Sequence, residues 1–281
     1  MEEQIKQFYA KMKYLAPKSM VVALATMALV TLFISIFEGN PFPHEGEALF
    51  FTYWDDGWIL NKTYLWVLTC LISILIEWGW QIWYLRRLNK PFTCLLDEQC
   101  DPVALRWVTM YGMNYGRNLR TSGEKSAFYF FEYAYVTTLN ALGEYEEAIR
   151  YLENEWQSQR KNKIRNRLLI LLKLNDAVMK EDKVRYMKLC EEVPAALKNN
   201  STRMAQYEQM QGNYSKAIEI LSAARGKELY VQVSIHYGLA KCYLKLGNRM
   251  AAREHLEFVM EHGNTTYYKK FALEEIEKLN N

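Results

Sequence analysis

The phrase GEYEEAIRYL begins at Gly143, GNYSKAIEIL begins at Gly212, 69 residues later, and a looser version, GNRMAAREHL, begins at Gly247. Self-similarity at such a spacing restricts the fold more than anything else in the chain, because it marks an array of stacked supersecondary units. Aligned on the glycines, alanine follows five places later (Ala148, Ala217, Ala252) and leucine nine places later (Leu152, Leu221, Leu256). Eight and seven places before stand a large residue (Tyr135, Met204, Leu239) and a compact one (Val136, Ala205, Ala240). Two antiparallel helices joined at the glycine account for this pattern. Glycine adopts the left-handed backbone that closes the first helix at no steric cost. Small side chains then let the helix axes approach, and the leucine fills the seam beside them.

The glycines lie 69 and 35 residues apart, so one further unit is expected in the longer gap. IRNRLLILLKLNDAVM reads as a helix, KED as a turn, and KVRYMKLCEEV as a second helix ending before Pro194. This unit, near residues 164–193, lacks the glycine.

The stretches YVTTLNALGEYEEAIRYL, MAQYEQMQGNYSKAIEIL and LAKCYLKLGNRMAAREHL resemble tetratricopeptide repeats over residues 127–263. Two positions depart from the pattern: Glu208 stands where the other units have Leu139 and Tyr243, and Arg249 where they have Tyr145 and Tyr214. The resemblance implies an all-α solenoid whose inner face, lined by the first helix of each pair, holds a segment of a partner protein. By its geometry the groove residues are Tyr133, Thr137 and Asn140, then Arg203, Gln206 and Gln209, then Tyr237, Lys241 and Lys245. Such a mixture suits a peptide backbone and a few acidic side chains; the same residue types also occur at ordinary exposed helix positions. Tyr133 and Thr137 stand where carboxylate-clamping relatives carry lysine and asparagine, so that clamp is not expected. Residues 86–126 are expected to lead into the stack, and residues 264–281 to close it with a helix turning Phe271, Ile276 and Leu279 inward.

Two apolar runs precede the repeats. Residues 20–37 carry no charge, and residues 64–85 carry only Glu77. Lys6, Lys11, Lys13 and Lys18 lie before the first, Arg86, Arg87 and Lys90 follow the second, and residues 38–61 contain no Lys or Arg. Read by length and flanking charge, these are two transmembrane helices at residues 19–37 and 64–85, joined by an extracytoplasmic loop at residues 38–63. The expected placement is an integral protein of a bacterial plasma membrane with both termini cytoplasmic and the lipid bilayer as a partner. Glu77, the intramembrane polar residue, has two readings: it contacts Lys18 and sets helix packing, or it snorkels to the interface. Ile5, Phe8, Met12 and Leu15 recur at helical spacing among lysines, so residues 1–18 read either as an interfacial amphipathic segment or as a simple tail. FFTYWDDGW, from Phe50, offers two aspartates, too few for a calcium site, and reads as an interfacial turn.

The formal net charge of +3 over 281 residues demands no polyanionic partner, and no nucleic-acid motif is present. Five cysteines include no C-x-x-C pair. The histidines, His44, His236, His255 and His262, form no H-E-x-x-H motif; phosphate-binding glycine loops and G-x-S-x-G are also absent. His236 and His255 fall on opposing helices of one hairpin, where satisfied or solvent-facing histidines are commoner than metal pairs. No catalytic residue, cofactor, metal or small-molecule substrate is expected. The sequence therefore points to a membrane-anchored adaptor or scaffold that binds a protein or peptide in its concave groove. The alternative is a subunit of a membrane signalling or transport complex with a sensing outer loop.

Overall fold

The computed structural model describes residues 1–37, 58–119, 121–158, 162–192 and 201–280, without the side chains at 16, 17, 30–37, 58–66 and 69. Among the described residues every regular element is a helix. In chain order these are α1 (Glu2–Lys13), α2 (Leu15–Phe37), α3 (Trp58–Asp97), α4 (Pro102–Gly116), α5 (Ser122–Leu142) and α6 (Tyr145–Asn154). They continue as α7 (Asn162–Met179), α8 (Lys183–Glu192), α9 (Ser201–Gln211), α10 (Tyr214–Ala223), α11 (Leu229–Lys245), α12 (Arg249–His262) and α13 (Tyr267–Asn280).

Four hairpins, α5–α6, α7–α8, α9–α10 and α11–α12, form a helical-repeat array. The three repeat glycines sit at equivalent bends with left-handed backbone, at φ 76° for Gly143, 90° for Gly212 and 75° for Gly247. The hidden unit bends at Glu181, with φ 52°. All four bends share one bonding pattern. Gly143 N–H donates to Asn140 O at 3.2 Å and Glu144 N–H to Leu139 O at 2.9 Å, while Glu181 donates to Val178 O at 3.3 Å and Asp182 to Ala177 O at 2.9 Å. Gly212 and Asn213, and Gly247 and Asn248, repeat the arrangement. It satisfies carbonyls that a helix end otherwise leaves unpaired.

Behind each bend the small residues do what their size permits. Ala148, Ala205, Ala217, Ala240 and Ala252 are fully buried, and so are Leu152 and Leu256, with Leu221 nearly so. Each such leucine contributes about 1.5–3 kcal/mol by leaving water. The departure at Glu208 is accommodated by charge: this residue is only 8 % exposed, and its carboxylate meets Lys216 at 2.7 Å and Asn213 Nδ2 at 2.8 Å. The hydrogen bond from Lys216 holds its pKa below the usual carboxylate range. Arg249, at the other departure, is exposed.

At the N-terminal side α1 lays Ile5, Phe8, Tyr9 and Met12 into a core formed with Phe92, Leu105 and Phe131. Phe8 meets Phe92 and Phe131 with ring centroids 5.3 Å apart in each case, and Tyr9 Oη donates to Gly112 O at 2.8 Å. The apolar face of the N-terminal segment is thus covered by its own chain. Asp101 caps α4 by accepting from Ala104 N–H at 3.1 Å, and Thr121 with Glu124 forms a reciprocal capping box at the start of α5.

The two membrane spans are not sustained. Among the described residues no helix is long and apolar enough to cross a membrane, and this overturns both the transmembrane reading of residues 19–37 and 64–85 and the integral-membrane placement built on it. The second apolar run is one stretch of a 40-residue helix that continues through Pro91 to Asp97, where Phe92 and Leu95 enter the repeat core. On its α2-facing side it carries the polar series Ser73, Glu77 and Gln81, with Ser73 buried and the other two half-buried. Hydropathy counts composition and is blind to such a seam. The expected outer loop, with Asp55 and Asp56, falls on residues 38–63, of which 38–57 lie outside the described residues.

The C-terminal end returns to the beginning of the array. Asn264 Nδ2 donates to Gln99 O at 2.9 Å, Thr265 Oγ1 to Asp101 Oδ1 at 2.7 Å, and Thr265 N–H to Cys100 O at 3.2 Å. Helix α13 then packs Phe271, Ile276 and Leu279 against Val233, Leu256 and Val259. Its first residue, Tyr267, stands beside the first bend, 3.2 Å from where a Cβ on Gly143 would lie.

Candidate functional site

Closure of the array encloses a pocket on the inner face between α7, α9, α11 and the start of α13. It has a free volume of about 30 Å³, above the roughly 10–15 Å³ that seats one water. Helices α9 and α11 contribute Gln206, Gln209, Tyr237 and Lys241, while Asn175, Tyr145 and Tyr267 complete the wall.

The tyrosines form a stacked belt. Tyr267 sits 4.2 Å from Tyr268, 5.7 Å from Tyr237 and 6.0 Å from Tyr145, measured between ring centroids. Burial pushes the hydroxyls of Tyr145, Tyr237 and Tyr267 well above the ordinary phenol range, so they are neutral hydrogen-bonding groups. Tyr268 Oη donates to Ser234 Oγ at 3.2 Å.

A chain of amides runs beside the belt. Asn175 Nδ2 donates to Asn140 Oδ1 at 2.6 Å, and Arg203 donates to Asn175 Oδ1 at 2.6 Å and to Gln206 Oε1 at 2.8 Å. Gln209 Nε2 donates to Gly238 O at 3.1 Å. Three successive first helices, α5, α7 and α9, are thereby tied through polar contacts on one face.

Lys241 provides the charge. Its Nζ stands 5.7 Å from the Tyr237 ring centroid, and no carboxylate lies within ion-pair distance of it among the described residues. Burial lowers its pKa, opposed by the more distant Glu181. Lys245, one turn on, is engaged by Glu181 at 3.2 Å.

Of the nine groove residues expected from the sequence, Gln206, Gln209, Tyr237 and Lys241 line the pocket, and Asn140 and Arg203 reach it through Asn175. Lys245 is spent on Glu181. Tyr133 and Thr137 lie off the pocket: Tyr133 is 38 % exposed beside Tyr129, and Thr137 donates to Ala134 O within its own helix. Asn175, Ser234, Tyr267 and Tyr268 were not foreseen. Asn175 belongs to the unit without a glycine, and the tyrosine pair arrives from α13, outside the repeat register.

Glu77 does not meet Lys18. Its Oε1 accepts from the Ser19 hydroxyl and from Gln81 Nε2, the latter at 3.0 Å, while Lys18 Nζ stands 5.9 Å from the Tyr84 ring centroid. His236 and His255 approach, with Nδ1 atoms 3.2 Å apart, and Phe258 stacks on His236 at 3.8 Å. Burial lowers both imidazole pKa values, and for His236 the neighbouring His255 adds to the effect. Among the described residues no group of three or more metal-ligating side chains occurs.

The fold and site define an all-α protein of helical-repeat type with a polar, tyrosine-belted inner pocket. Comparison with protein-family models, curated proteins and solved structures finds no match to the chain.

Proposed function

We propose that the chain is a protein-binding module that takes an acidic anchor side chain of a partner segment at Lys241. The observation that carries this reading is the state of Lys241: a half-buried ammonium over an aromatic ring, ringed by amide groups, with no carboxylate in contact among the described residues. A charge removed from water gains most from an opposite charge that arrives with its own hydrogen bonds. The free volume of about 30 Å³ admits only a small polar group, so the partner's backbone runs past the pocket rather than through it. Gln206 and Gln209 line the same pocket, and the Gln206 amide nitrogen is the group that bonds that backbone in this reading. A binding role accords with the tetratricopeptide-like pattern, whose inner faces serve this purpose.

The test is selection from a random peptide library against the whole chain, followed by fluorescence anisotropy of the recovered peptides. Acidic anchors should dominate, and Lys241→Ala should weaken them about tenfold, the scale of one charge-assisted hydrogen bond. Peptides that bind Lys241→Ala and Gln206→Ala as tightly as the unaltered protein would count against the reading.

A further inference from the structure

A second cavity lies where the end of α1, the start of α2, the middle of α3 and the first turn of α5 meet, with a volume of about 420 Å³. We propose that it binds a small organic ammonium ion carrying an apolar tail, the nitrogen being held by Glu77. Small-molecule sites commonly measure roughly 300–1,000 Å³ and combine an apolar wall with a few converging polar groups. Met12, Leu15, Met20 and Ala23 supply the wall here, and Glu77 and Gln81 supply the polar end.

The arrangement of that polar end selects the charge of the guest. Ser19, only 5 % exposed, donates its hydroxyl to Glu77 Oε1, and Gln81 Nε2 reaches both that oxygen at 3.0 Å and Ser19 Oγ at 2.6 Å. These donors engage the carboxylate through Oε1, and Glu77 lines the cavity beside them. Neither nearby lysine answers the charge: Lys18 is drawn over Tyr84 and Lys13 over Tyr14. A half-buried carboxylate with no cationic partner among the described residues repels an anion and gains little from a neutral molecule. A primary ammonium gives it both charge and a directed donor. The methionine and leucine side chains reward a tail of hydrocarbon or aromatic character, and methionine adapts its shape to either.

None of these residues lines the Lys241 pocket, so the two readings stand or fall separately. Isothermal titration of the full chain with benzylammonium, and with benzyl alcohol as its uncharged counterpart, tests the site. Benzylammonium should bind at least about tenfold more tightly than the alcohol, and Glu77→Gln should abolish that preference. Ser126→Trp, at the rim, should reduce uptake of both compounds, and it keeps the test intact if circular dichroism shows that Glu77→Gln is unfolded. Equal affinity for amine and alcohol, a preference that survives Glu77→Gln, uptake indifferent to Ser126→Trp, or no uptake by the unaltered protein would each overturn the site.

Discussion

The α7–α8 and α11–α12 hairpins have the same bend and hold it by different means. In α11–α12 the left-handed position is glycine, the helix contact is made by Ala240 and Ala252, and nothing charged is fully buried between them. In α7–α8 the same position is Glu181, and Asp176, only 3 % exposed, stands one turn before it, bound by Lys180 at 2.9 Å and Arg185 at 2.8 Å. A non-glycine residue in the left-handed region costs about 1–2 kcal/mol. The backbone bonds are those of every other bend, so it is the ion pairs of Asp176 that offset the cost. One backbone shape can therefore be specified by absence of a side chain or by a surplus of charge.

The sharpest way to break this comparison is Asp176→Ala. The cations left behind are partly exposed, so the loss should be about 1.5–3 kcal/mol rather than the full penalty of a stranded buried charge. Urea denaturation gives the total, and hydrogen exchange should place the loosening in α7 and α8 first. A loss spread evenly over the array would mean the ion pairs do not support that bend. Next is Gly247→Ala, whose added methyl meets nothing within 4 Å; its cost, about 1–2 kcal/mol, should be purely conformational. Gly143→Ala should exceed it, since the methyl also presses on Tyr267 at 3.2 Å. In the opposite direction, Glu181→Gly should raise stability by about 0.5–1 kcal/mol in high salt, where the Lys245 pair is screened. An unchanged urea midpoint there would show that Glu181 is not strained.

The smallest effect is that of mildly acidic pH, and between about pH 6.5 and 5 it should fall on α11–α12, above the range in which the Glu208 carboxylate takes up its proton. His236 and His255 have folded-state pKa values below the unfolded one, so the unfolded chain takes up protons first as pH falls. Stability should be undiminished above about pH 6.5, the unfolded histidine value, and decline as pH drops from there towards the folded values. The double change His236→Asn with His255→Asn should flatten the slope between pH 6.5 and 5. A slope unaltered by it would assign the acid sensitivity elsewhere.

Local order in the array was legible because its causes are local. Gly143, Gly212 and Gly247 announce their bends through a steric rule, and KED at residues 180–182 was recognisable as a turn from its spacing. The pocket was only half legible. Gln206 and Lys241 follow from the groove geometry that the tetratricopeptide resemblance implies, but Tyr267 packs against Tyr145 more than 120 residues away, and no periodicity encodes that. The α1 face shows the complementary failure: the spacing of Ile5, Phe8 and Met12 left an interfacial segment and a simple tail both open, while the structure covers these residues with Phe92 and Phe131 of the same chain. In α2 and α3 the error was of another kind, because a run of apolar letters states how oily a helix is and leaves open what lies beside it.

The bonds from Asn264 and Thr265 to Gln99, Cys100 and Asp101 impose a fixed count on the array. An open stack can grow by duplicating a module, since each newcomer needs only one neighbour. Here the tail must come back to the head, and an inserted hairpin would carry Thr265 out of reach of Asp101. Lengthening by tandem duplication, the usual route to larger arrays, is closed to this chain unless the clasp is surrendered with it.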